Sequence, residues 1–131
     1  MAQFLPADHT RGDANTIGGY AEVHGRPAAF EGSDGMSYSV ALLAEATGDA
    51  ARPWTAWFCF LRWRRMGDPG VEGHLETEPL AWGRSEAEAL ATLGAFSLGE
   101  VRDELEGCLA AERRSAVPER RWWDVMRDED A

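Results

Sequence analysis

Apolar and polar residues recur with a period of two over most of the chain and with a period near 3.6 in its last third, so strands are predicted before helices. From Ser37 to Glu45 the alternation puts Tyr38, Val40, Leu42 and Ala44 on one side. Ser37, Ser39, Ala41, Leu43 and Glu45 share the other, and the first set reads as the core side. Trp54 to Leu61 is apolar at both parities, the pattern of a central strand with cover on each face. Upstream, Tyr20-Ala21-Glu22-Val23-His24 alternates as a half-buried strand does, with Gly18-Gly19 opening it and Gly25-Arg26-Pro27 interrupting it. Extended chain resumes at Ala28-Ala29-Phe30, and Asp34-Gly35 predicts a hairpin turn. Thr47 to Pro53 reads as a loop and Met66 to Gly70 as a second turn. A strand over Val71 to Thr77 follows, then a short extended piece at Leu80 to Trp82.

Two S-x-x-E capping boxes, Ser85 with Glu88 and Ser97 with Glu100, open two helices. Ala87, Leu90, Ala91 and Leu93 form the stripe of the first, and Gly94 weakens or stops it. Leu98, Val101, Leu105, Cys108 and Leu109 form the stripe of the second. Ser115 to Glu119 punctuates the chain, and Pro118 suits the first position of a separate short helix carrying Trp122, Val125 and Met126. Strands followed by helices predict an α+β fold: an antiparallel sheet of four to five strands with C-terminal helices packed on one face. Residues 1–16 read as a flexible arm, 17–127 as one domain and 128–131 as a frayed acidic tail. The second face of the central strand also needs cover, which the Trp122-Trp123 segment or a second copy of the chain could supply.

Charge narrows the partners. The chain of 131 residues has a formal net charge of −10. Phosphate backbones and anionic membranes attract the opposite sign, so nucleic acid and membrane surfaces are disfavoured. The N-terminus lacks the pattern of a secretory signal, and Cys59 and Cys108 read as small buried hydrophobes in a reducing cytoplasm. No P-loop, dinucleotide fingerprint, CxxC or HExxH occurs, so no cofactor and no metal is implied.

Two clusters could carry chemistry. Glu22 and His24 on one strand, with His74 and Glu76 on another, would supply imidazole and carboxylate for a metal, a small ligand or acid–base catalysis if the strands were neighbours. A solvated strand face alternates in the same way. Arg62, Arg64 and Arg65 around Trp63 could hold a single-stranded nucleic acid by charge and stacking, or pair across the hairpin with Glu72 and Glu76, which the net charge favours.

Gly83-Arg84-Ser85-Glu86-Ala87-Glu88-Ala89-Leu90, after an extended segment, resembles the strand-to-helix junction of HicB-like antitoxin domains. That resemblance implies a small sheet-plus-helix protein that binds a toxin and often oligomerises. The chain lacks an evident strand after that helix and a clear appended DNA-binding module, so no site residue transfers. The expectation is a small acidic binding or regulatory protein without catalysis, acting through protein–protein contacts that include self-association. Its candidate contact residues are Trp63, Trp122, Trp123, Arg62 and Arg64, and Trp82, which is expected to be buried. Alternatives are an enzyme or ligand binder using Glu22, His24, His74 and Glu76, and an antitoxin or inhibitor that mimics nucleic acid.

Overall fold

The computed structural model describes residues 6–67 and 70–130, with side chains as far as Ser115. Its elements are α1 (Ile17–His24), β1 (Ala29–Glu31), β2 (Ser37–Ala46), β3 (Trp54–Trp63), β4 (Val71–Glu76), β5 (Ala81–Gly83), α2 (Glu86–Gly94) and α3 (Leu98–Asp130). The strands make one antiparallel sheet in the order β1-β2-β3-β4, and β5 pairs with β3 beside β4. With helices α2 and α3 following, the fold is α+β as predicted. No described helix is long and apolar enough to cross a membrane.

The predicted core side of β2 is the buried one. Tyr38 and Val40 are buried and pair with Arg62 and Phe60 of β3. Phe58 and Phe60 bring aromatic bulk, and Val101, Leu105 and Leu109 of α3 lie in the same cluster with Leu93 of α2. Burying one such side chain contributes about 1.5–3 kcal/mol. Both serines cap their helices, and the box is reciprocal at the second. The Ser85 hydroxyl accepts from the Glu88 amide at 3.1 Å. Ser97 and Glu100 cap reciprocally, at 3.1 and 2.9 Å.

Three expectations change. The stretch read as a strand at Tyr20 to His24 is helix α1. The Thr16 hydroxyl caps it by accepting from the Gly19 amide at 3.0 Å, and Gly25 ends it in the left-handed conformation at φ 67°. Gly18 and Gly19 serve close approach. A Cβ on Gly18 would sit 3.1 Å from the Gly94 backbone, and one on Gly19 would sit 1.9 Å from the Asp13 carbonyl oxygen. Pro118 does not start a separate helix, since α3 continues to Asp130. Ala, Glu and Arg around that proline favour the helix by propensity, against the backbone bond it removes. Finally, among the described residues cover lies on one face of β3 only. The segment Asp8–Thr16, ahead of α1, is hydrogen-bonded into the body. Asp8 donates to Val23 at 2.9 Å, and Asn15 accepts from Leu98 at 3.0 Å.

Candidate interaction surface

Strand registry decides which side chains share the helix-free face. Leu43 pairs with Trp57, Ala41 with Cys59 and Ser39 with Leu61 across β2 and β3. On the other flank Cys59 pairs with Glu76, Leu61 with His74, and Trp63 with Val71 after a register shift at Arg62/Trp63. Thr55 pairs with Trp82 of β5. The result is an apolar centre of Leu43, Trp57, Leu61 and Cys59, bordered by Trp63 and Trp82. Trp63 is 40% exposed, Trp82 38% and Val71 45%, while Cys59 is only 7% exposed. Trp82, expected to be buried, therefore belongs to the surface.

The indoles are held in place. Trp57 leans over β4 and donates its Nε1–H to Glu76 Oε1 at 2.8 Å. Trp63 leans the other way and donates to Ser39 Oγ at 2.9 Å. The Arg52 guanidinium stands 3.8 Å over the Trp82 ring. With their Nε1–H groups occupied, Trp57 and Trp63 present aromatic faces at little further entropic cost, the character of interface anchors, while Trp82 is held by Arg52. Glu76 also meets His74, Nε2 to Oε2 at 3.4 Å, in an exposed pair. Burial, then the nearby Glu76 charge, pushes the Cys59 thiol above its ordinary value.

The remaining predicted residues go elsewhere. Glu22 and His24 lie on α1, which packs against α2, so the neighbouring strands that were to join them to His74 and Glu76 do not exist. His24 stacks on Tyr20 at 4.2 Å and meets His9 edge-on at 6.1 Å. Among the described residues no group of three His, Cys, Asp or Glu is placed to hold a metal. Trp122 and Trp123 lie outside the residues whose side chains are described.

Arg62 does not pair with Glu72 or Glu76, because its register opposite Gly73 and Tyr38 turns it to the helix-bearing face. There its Nε donates to the Tyr38 hydroxyl at 2.7 Å and its Nη2 donates to Glu112 Oε1 at 2.7 Å. Tyr38 in turn donates to Asp34 Oδ2 at 2.5 Å. The Glu112 and Tyr38 hydrogen bonds hold the guanidinium charged, and burial followed by Asp34 pushes the phenol up to about 12. This network ties the β1–β2 hairpin to α3 and is structural. Arg64 lines a shallow 440 Å³ depression with Arg65, Met36, Met66 and Glu72.

A larger groove of 530 Å³ runs between α3 and the β4–β5 margin. The sequence pattern marked Trp63 but not Trp57, Leu61 and Leu43. The signal for Trp57 and Leu61 is the unbroken apolar run of β3, which reads as a strand covered on both faces, and Leu43 stands on the second side of β2. No protein family, curated protein or solved structure matches the chain.

Proposed function

We propose that this protein acts by binding rather than by catalysis, and that the helix-free sheet face is its contact surface, packed on the same face of a second copy. One observation carries the reading: a sheet covered on one side among the described residues presents three oriented indoles, exposed Val71 and half-buried Leu43 and Leu61 on the other. Contiguous apolar surface of that kind marks interaction sites. Two sheets stack face to face about 10 Å apart, and a two-fold axis lets one sequence supply both sides. The α3 carboxylates Glu104, Glu106 and Glu112 lie off this face, so their repulsion is not concentrated at the contact. A cytoplasmic location belongs to the same reading, supported by Cys59 and Cys108 both being free thiols.

Sedimentation velocity across a wide concentration range tests it. The wild type is expected to be dimeric, and Trp63→Glu, at a partly exposed position, monomeric with an unchanged far-ultraviolet spectrum. A wild type that stays monomeric throughout refutes the reading.

A further inference from the structure

We propose a second, separate binding site: the free edge of β4 and the groove beneath it accept one extended, cationic, amphipathic segment of a partner protein as an added strand. This goes beyond the sheet-face contact and does not depend on it. β4 pairs with β3 along one side, and among the described residues its other edge has no strand partner. The chain after β4 stays joined to β3, with the Thr77 amide donating to Phe58 at 3.0 Å and the Leu80 amide to Ala56 at 2.9 Å. An open edge of backbone donors and acceptors therefore runs beside α3. Between that margin and the helix lies the 530 Å³ groove, in the position that inward side chains of a sixth strand would fill. Strand addition of this kind draws affinity from main-chain bonds and specificity from pockets for alternate side chains.

The groove's chemistry selects the occupant. Its apolar floor includes Leu75, Leu80 and Cys108, all packed on the core cluster. A Cβ on Gly107 would meet nothing within 4 Å, so the α3 wall is open there. Among the described residues, the charged groups of the lining are all carboxylates: Glu76, Glu78, Glu104 and Glu112. Glu112 is committed to Arg62 and Glu76 to Trp57 and His74, which leaves Glu78 and Glu104 to meet an incoming charge. Carboxylates along an edge repel an acidic strand, including β4 of a second copy with its own Glu72 and Glu76. They admit a strand alternating Lys or Arg with aliphatic residues, and the net charge of −10 steers it inward.

The experiment uses the full chain and fluorescein-labelled peptides in fluorescence anisotropy. The probe alternates Val and Lys, and the controls are a Gly/Lys peptide of equal charge and a Val/Glu peptide. The Val/Lys peptide is expected to bind about tenfold or more tightly than either control, since charge alone does not fill the floor. Gly107→Leu, which strengthens the helix and fills the groove, is expected to abolish that difference. Glu78→Gln with Glu104→Gln should weaken binding about tenfold, while Glu45→Gln with Glu86→Gln, an equal change of charge elsewhere, should not. Equal binding of the Val/Lys and Gly/Lys peptides, or full binding to Gly107→Leu, overturns the proposal. Retained binding by the Trp63→Glu chain separates this site from the sheet-face contact.

Discussion

Tyr38 is the residue on which the most interactions converge. Its ring is fully buried, its hydroxyl donates to Asp34, and Arg62 donates to it while also holding Glu112. Removing the hydroxyl with Tyr38→Phe leaves Asp34 and Arg62 short of one partner each and should cost about 1–3 kcal/mol in urea unfolding. The same group sets a pH response. Its folded-state value is pushed up to about 12 from an ordinary 10.0, so the fold holds the phenolic proton more tightly than the unfolded chain does. That stabilisation is complete below pH 10.0 and is lost as pH rises through about 12. Unfolding midpoints measured over this window should fall in the wild type and fall less in Tyr38→Phe. The difference isolates Tyr38 from Cys59 and Cys108, whose thiols are raised chiefly by burial and act in the same direction.

At the scale of elements, α1 and α3 show why local pattern succeeds in one place and fails in another. The Ser97–Glu100 box is a reciprocal local interaction, complete within one turn, and it could be read directly. Ser97→Ala should cost about 1 kcal/mol by urea denaturation with an unchanged m-value. In α1 the alternation of Tyr20, Glu22 and His24 mimics a strand over five residues, too short a window to separate periods of two and 3.6. The informative signals were Thr16 as a cap and Gly25 before Pro27 as a stop. What the Gly18-Gly19 pair does depends on Gly94 and Asp13, which only folding brings near. Gly19→Ala forces a Cβ into the Asp13 carbonyl and should destabilise by about 1–3 kcal/mol or more, with a smaller loss for Gly18→Ala. A Gly19→Ala protein as stable as wild type would show that this approach is not tight.

For the whole molecule, charge and apolar surface act in opposite senses on the two proposed contacts. Two copies at −10 each repel, and screening shortens the range of that repulsion to about 10 Å at 0.1 M salt. Association through the apolar sheet face should therefore strengthen when sodium chloride is raised, read as a lower dissociation constant in sedimentation. Binding of the Val/Lys peptide at the β4 groove should weaken under the same change. Parallel salt responses would mean that both contacts are governed by the same force, contrary to the two-surface picture.

Residue order alone determined the class of fold, the buried side of β2, the central place of β3 and both helix starts. Each rests on a period or a cap contained in a few consecutive residues. Trp63 could likewise be singled out from its charged neighbours, and it is exposed. Tertiary structure decided the rest. Arg62 and Trp63 face opposite sides because neighbouring residues of a strand alternate, with Arg62 toward α3, and alternation within one strand cannot say which face a helix will cover. The continuous apolar run of β3 fits two covered faces as well as one covered face and one left half-exposed, as it is here at Trp57 and Leu61. That choice lies in contacts between distant segments, and so does the groove, which exists because α3 passes beside an edge strand that has no neighbour on that side among the described residues.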